Sequence, residues 1–167
     1  MKIHKATLKD AKRISGLIRG TINKVNAENY AKKQLRHELS CYTIQKIKDY
    51  IKNNLVFCVF DKEKLIGAIM LDYNKKTLNS LYLKPSYIGK GIGKELIEFI
   101  EKEAKKNGIR ELKLFPTKFA IKFYKKLGYK ITRRFIGTEN GGFPVIEMKK
   151  RLRWNQSIQK TKNTSKN

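Results

Sequence analysis

Residues 87–95 read YIGKGIGKE: glycines at 89, 91 and 93 alternate with Lys90 and Ile92, and apolar residues at helical spacing follow. A glycine-rich turn that runs into a helix is suited to binding phosphate. Without a Cβ, backbone N–H groups close on an anion, and the helix N-terminus adds partial positive charge. Lys90 and Lys94 add full charges at the same end. Three familiar phosphate or nucleic-acid loops fail at named residues. A Walker A loop needs glycine where Ile88 stands and Ser or Thr where Glu95 stands. The dinucleotide fingerprint GxGxxG places its third glycine on Lys94. The RNA-binding GXXG loop pairs Gly89 with Ile92. A plain strand-to-helix turn seldom needs three alternating glycines.

The elements that must hold this loop are legible around it. LNSLYLK (78–84) has the composition of a strand and ends at Pro85. After the loop, Ile92, Leu96, Ile97, Ile100 and Ala104 share one helical face, and Asn107-Gly108 ends that helix. Upstream, KIHKAT (2–7) predicts an opening strand. Thr7 or Asp10 can cap a helix carrying Ala11, Ile14, Leu17, Ile18 and Ile22. Tyr30–Asn53 predicts one or two helices, with Thr43 capping the second. LVFCVF (55–60) and LIGAIML (65–71), separated by DKEK, predict a hairpin. Downstream come a strand at 111–115 and a helix over 117–127 bearing Ala120, Phe123, Tyr124 and Leu127. Strands at 129–135 and 143–149 follow, around a turn at Asn140-Gly141-Gly142. This order predicts one α/β (α+β) domain with a mixed sheet and helices on its faces. Residues 1–152 form the domain, and 153–167 read as a polar tail too poor in apolar residues to pack.

Composition sets bounds. The chain has 167 residues, 39 basic and 14 acidic side chains and a net charge of +25. Such a field attracts anions: nucleic acid, acidic proteins or phosphorylated cofactors. The lysines are spread along the chain, and the joint richness in Lys, Ile and Asn is a compositional bias rather than one basic block. The basic residues are not interleaved with aromatics as in RNA-binding motifs, so a nucleic-acid partner is possible but not favoured. Of the two cysteines, Cys58 sits in an apolar run and Cys41 in a polar one. No CxxC or Cys/His cluster is visible, so no metal is expected. The N-terminus has no apolar signal segment, and no run is long enough to span a membrane, which predicts a cytoplasmic protein without membrane association.

The loop and its surroundings resemble the GNAT superfamily of N-acetyltransferases. Its acyl-CoA loop, [QR]xxGx[GA], aligns on Ile88-Gly89-Lys90-Gly91-Ile92-Gly93, with Ile88 where the family has Gln or Arg. LYLKPSYIGKGIGKELIEFIEKEAKKNG is similar to the family's strand, turn, loop and helix. AIKFYKKLGYK is similar to its second motif, and GFPVIEMKK to its last strand. The resemblance spans about residues 1–152 and implies a largely antiparallel sheet of about seven strands with helices on both faces. It further implies acetyl-CoA as co-substrate and direct attack of a primary amine, from a small molecule or a protein, on the thioester. In that reading the backbone of Leu81, Tyr82 and Leu83 holds the pantetheine and the acetyl carbonyl. Ile88, Gly89, Lys90, Gly91, Ile92, Gly93 and Lys94 hold the pyrophosphate. Thr117, Ala120 and Phe123 flank the cofactor, and Tyr124 protonates the leaving thiolate. Many members carry a glutamate base early in the strand before the loop, but Thr77 stands there. Asp72, Glu147, His37 and a water chain to bulk are the remaining candidates. The acceptor is set by residues 20–53 and 136–143, and the +25 charge argues against polycations such as spermine. A homodimer through the last strand is compatible with the pattern. A CoA-binding regulatory protein or a nucleic-acid-binding protein on the same fold is the alternative.

Overall fold

A computed structural model describes residues 1–26, 30–137 and 142–153. The strands are β1 (Lys2–Lys5), β2 (Leu55–Asp61), β3 (Lys64–Asp72), β4 (Thr77–Leu83), β5 (Glu111–Leu114), β6 (Lys130–Gly137) and β7 (Phe143–Arg151). The α-helices are α1 (Ala11–Thr21), α2 (Lys32–Ser40), α3 (Ile44–Asn53), α4 (Ile92–Lys106) and α5 (Ile121–Lys126). Among the described residues the strands form one sheet in the order β1-β2-β3-β4-β5-β7-β6. Every pairing is antiparallel except β4 with β5. The mixed, mostly antiparallel architecture therefore matches expectation.

The sheet is covered on both sides, which explains why β2 and β3 are near-continuous apolar runs rather than alternating ones. Val56, Cys58, Phe60, Ala68 and Met70 pack on one face with Ile14, Ile18 and Ile22 of the first helical segment and Ile47 of α3. Phe57, Val59, Ile69 and Leu71 pack on the other with Leu96, Ile97 and Ile100 of α4. Each fully buried isoleucine or leucine contributes roughly 1.5–3 kcal/mol by leaving water. Local capping fixes the helix starts: Thr7 N–H donates to Asp10 Oδ2 at 2.8 Å, and Thr43 Oγ1 accepts from Lys46 N–H at 3.3 Å.

Three expectations change. The helix foreseen over 117–127 is only α5. Residues before it form a tighter turn in which Ala120 N–H donates to Thr117 O at 3.0 Å, and the Thr117 side chain caps nothing. The first helix runs into a π-helical segment, Ile22–Asn26. The last strand is not free to pair with a second subunit, because β5 and β6 occupy both its edges. Among the described residues the sheet edges are β1 and β6, and β6 carries Lys130, Arg133 and Arg134, charges that discourage edge pairing. The turn residues Asn140 and Gly141 and the tail from position 154 lie outside the described residues.

Candidate active site

The site begins where two strands part. β5 pairs with β4 only at Thr77 and Leu78, and Pro116 soon follows. Upstream, Lys113 N–H donates to Lys76 O, so even-numbered residues of β4 face β5 there. The β3–β4 register slips between Met70 and Leu71, leaving Asn79 without a partner and reversing that alternation. Lys84 N–H then donates to Ile66 O at 2.8 Å. Backbone groups of Tyr82 thus face β3, while the amides of Leu81 and Leu83 face the open gap. The bulge and the short β5 together expose two amide donors in the middle of a sheet.

The loop that follows is held by two left-handed glycines, Gly89 at φ 83° and Gly91 at φ 82°. A Cβ at either would meet nothing within 4 Å, so glycine is required there by backbone conformation, not by space. Gly93 differs: a Cβ there would lie 3.3 Å from Phe123 Cζ and 4.0 Å from Leu83 Cδ1. That glycine lets the start of α4 close on α5 and on the end of β4. Among the described residues, the amides of Gly89, Lys90, Gly91, Ile92 and Gly93 have no acceptor, whereas Lys94 N–H is bound to Gly91 O at 2.9 Å. Five free donors at the N-terminus of a 15-residue helix form an anion-binding nest. Lys90 lies over the Tyr87 ring at 5.3 Å, and Lys94 pairs weakly with Glu98 at 3.9 Å, both lysines exposed. Ile88 is 53% exposed and supports nothing in the core.

The expected site residues therefore gather from three segments, the end of β4, the loop and α5. Tyr124 packs edge-to-face with Phe123 and Tyr129, at 5.0 and 5.7 Å between ring centres. Burial pushes its pKa well above the ordinary phenol value. Ala120 and Phe123 are half-buried beside it. Thr117 instead lines a cavity on the opposite side of the sheet.

That cavity, of about 850 Å³, lies between α2, α3 and the split of β4 from β5. Asn79 and Ser80 of β4, Phe115–Lys118 after β5, and the start of β7 form its sheet side. Its helical wall carries His37, Glu38, Asp49 and Tyr50. Tyr42 Oη and Ser80 Oγ share a hydrogen bond of 3.0 Å, and the Tyr82 hydroxyl donates to Glu38 Oε1 at 3.1 Å. Burial, reinforced by the charge of Glu38, pushes Tyr42 up to about 12.

The sequence's base candidates fare unevenly. Thr77 is 2% exposed and donates to Lys75 O. Asp72 accepts from Lys75 N–H at 2.8 Å and caps a turn. Glu147 accepts from Thr132 Oγ1 at 2.7 Å, a bond that holds its carboxyl below the usual range. None of these three lines the cavity, whereas His37 does. Glu38 and Asp49 line it as well, and sequence reasoning passed over both. No local motif marks them: they enter through the packing of α2 and α3 on distant β4. The expectation of no Cys/His cluster is also corrected, since His4, Asp10 and Cys58 bring ligand atoms within 4.8 Å of one another. His4 and Cys58 are cross-strand partners. Asp10 is occupied by Thr7, and burial pushes the Cys58 thiol up to about 12, which favours the thiol over a metal-binding thiolate.

The chain belongs to the GNAT acetyltransferase family: the acetyltransferase (GNAT) domain matches residues 21–152. It is 36% identical over 110 residues to the spermidine N(1)-acetyltransferase of Thermoplasma acidophilum, covering 62% of this chain and 64% of that protein. The chain thus spans just under two thirds of that relative. Among solved structures, the PaiA N-acetyltransferase of T. acidophilum in complex with coenzyme A superposes with a TM-score of 0.77 at 27% identity, over 90% of this chain and 98% of that one. A GCN5-related N-acetyltransferase from Rhodopseudomonas palustris shares the fold, with a TM-score of 0.81 at 22% identity over 90% and 95% of the two chains. No helix among the described residues is long and apolar enough to cross a membrane.

Proposed function

We propose that the protein is an acetyl-CoA-dependent N-acetyltransferase acting on a small aliphatic amine with more than one ammonium group. The observation that carries this reading is the parted β4–β5 pair. Its free Leu81 and Leu83 amides lie between an anion-binding nest and a separate cavity with carboxylates in its wall. The nest suits a pyrophosphate, and the extended β4 edge suits the amide-bearing pantetheine arm. In this reading the Leu83 amide stabilises the oxyanion that forms on the acetyl carbonyl.

In the reaction, the neutral amine nitrogen bonds to the thioester carbon and the C–S bond breaks. Tyr124 supplies the proton to sulfur. Its raised pKa does not disqualify it, because the departing thiolate enters the same dry surroundings and its proton affinity rises too. The acceptor class rests on Glu38 and Asp49 in the cavity and on the likeness to a spermidine acetyltransferase. The distant surface charge is screened by salt and bears little on this choice, whereas Lys46 and Lys118, which line the cavity with Glu38 and Asp49, restrict where each ammonium group can sit.

The test is acetyl-CoA consumption with a panel of spermidine, diamines, amino acids, aminoglycosides and peptide N-termini, with calorimetry of acetyl-CoA binding beside it. Turnover of spermidine or a diamine above the other acceptors is expected. Absence of acetyl-CoA binding at high micromolar concentration would overturn the reading. Binding without turnover of any amine would favour a CoA-binding regulatory protein instead.

A further inference from the structure

Resting on the proposed acetyl transfer, we infer that Glu38 is the general base: its carboxylate takes the proton from the acceptor ammonium, and Tyr82 is the positioning residue that holds it. Four observations converge. First, Glu38 and Asp49 are the carboxylates that line the cavity among the described residues. Second, Tyr82 joins the cavity to the reacting strand. Its neighbours in β4 are Leu81 and Leu83, whose amides face the gap, and its hydroxyl donates to Glu38 Oε1 at 3.1 Å. The carboxylate is thereby tethered one tyrosine side chain from the site of attack. Third, a carboxylate on β4 itself is ruled out, since Thr77 is buried and bonded to Lys75 O. Fourth, the Tyr50 hydroxyl, on the same cavity wall, is buried without a hydrogen-bond partner; Asn79 approaches it but not in bonding geometry. An orphaned buried hydroxyl calls for a polar ligand group, and an amine nitrogen in the cavity supplies one.

The surroundings of Glu38 keep it available as a base. Tyr82 from β4 and Tyr42 in the turn after α2 face it as neutral phenols, and Tyr30 lies close enough to feel its charge. His37 and Cys41 border the cavity beside it, and α3 contributes Lys46 and Asp49. Tyr42, bonded to Ser80 and edge-to-face with Tyr82 at 5.4 Å, keeps the Tyr82 ring in place. The proton balance closes. An ammonium N–H bond breaks and a Glu38 O–H bond forms, leaving a neutral amine. That nitrogen attacks the thioester carbon, the C–S bond breaks, and sulfur takes the Tyr124 proton. The second nitrogen proton restores Tyr124, and Glu38 releases its proton to solvent through the open cavity.

The test compares Glu38→Gln, Tyr82→Phe and Asp49→Asn with wild type, using spermidine or whichever panel amine turns over fastest. Glu38→Gln is expected to lower kcat by about 10²-fold near neutral pH. Its rate should climb about tenfold per pH unit toward the amine's own pKa, because only amine already neutral in solution then reacts. Tyr82→Phe, which keeps the ring, is expected to lose about tenfold in kcat with the same altered pH profile. Asp49→Asn should raise KM for the amine and leave kcat and the pH profile alone. Acetyl-CoA affinity by calorimetry should be unchanged in all three, which also verifies that each variant is folded. A Glu38→Gln enzyme that retains wild-type kcat and pH profile, or shows a raised KM alone, overturns this inference and leaves the acetyltransferase reading intact. A wild type that acetylates no amine overturns both.

Discussion

Replacing Gly91 by alanine isolates one physical quantity. Gly91 sits at φ 82° and ψ −18°, at the N-terminal cap of α4 and inside the proposed pyrophosphate nest. A Cβ there meets nothing within 4 Å, so the substitution adds no clash. Its cost is the left-handed backbone alone, roughly 1–2 kcal/mol for an L-residue with a side chain. Without ligand the loop can escape that cost by relaxing out of the bound geometry. Binding must then restore it, and the Kd for acetyl-CoA should rise about 5- to 30-fold, since about 1.4 kcal/mol is tenfold. Gly108→Ala is the matched control, because Gly108 is also left-handed, at φ 76°, with open space around it, at the far end of the same helix. It should lose similar stability in urea and keep its acetyl-CoA affinity within about twofold. Ile88→Gln, which adds the side chain the family has at that position, should change affinity less than Gly91→Ala. The assay is isothermal calorimetry on all four proteins. Equal affinities for wild type and Gly91→Ala, with Gly108→Ala destabilised, would refute the claim that this backbone conformation is what grips the cofactor.

Other outcomes follow from the same structure. Gly93→Ala places a Cβ 3.3 Å from Phe123 Cζ, so α5 must shift by a few tenths of an ångström; kcat should fall further than KM rises, because Tyr124 moves with Phe123. Tyr124→Phe should cut turnover about 10²-fold and leave calorimetric acetyl-CoA affinity unchanged; loss of affinity instead would make Tyr124 a packing residue. Alkaline stability carries a definite sign. Tyr42 is pushed up to about 12 in the fold, so its contribution is fully present below about pH 10 and is lost as pH rises toward 12. By about pH 11 that one phenol should have cost about 1.4 kcal/mol of unfolding free energy. Urea titrations near pH 9 and pH 11 should therefore show a smaller alkaline loss in Tyr42→Phe than in wild type.

The sequence carried the elements that local chemistry defines. The loop glycines, the apolar stripe of α4 and the Thr43 cap each act over a few residues and appear in the structure where expected. Gly93 shows the limit of that reading. In sequence it is the third member of an alternating set, but in the fold it is a packing position against Phe123, a contact 30 residues away. Glu38 marks a further limit. It lies on a short, polar helix with no buried residue, and nothing nearby distinguishes it from solvated glutamates. Its partner is Tyr82, 44 residues on, on a strand whose bulge decides which way each backbone group points. That bulge has no sequence signal, being a mismatch between β3 and β4 rather than a property of either.

Charge shows how much that difference matters. A net +25 invites the inference that a cationic acceptor is repelled, but the two contributions act on different scales. A surface lysine about 15 Å from the cavity acts through water, and salt screens it with a Debye length of about 8 Å, leaving roughly 0.04 kcal/mol on a unit charge. Even 25 uncompensated charges at that distance sum to only about 1 kcal/mol. A carboxylate about 4 Å from an ammonium, near a protein surface with an effective dielectric of about 20, contributes about 4 kcal/mol. Lys46 and Lys118 line the same cavity, so Glu38 and Asp49 act against two local lysines, while the screened remainder of the surface adds little. The net charge acts on arrival and the cavity acts on binding, so a strongly basic protein can select a polycation provided that its few acids are placed where the amine must lose a proton.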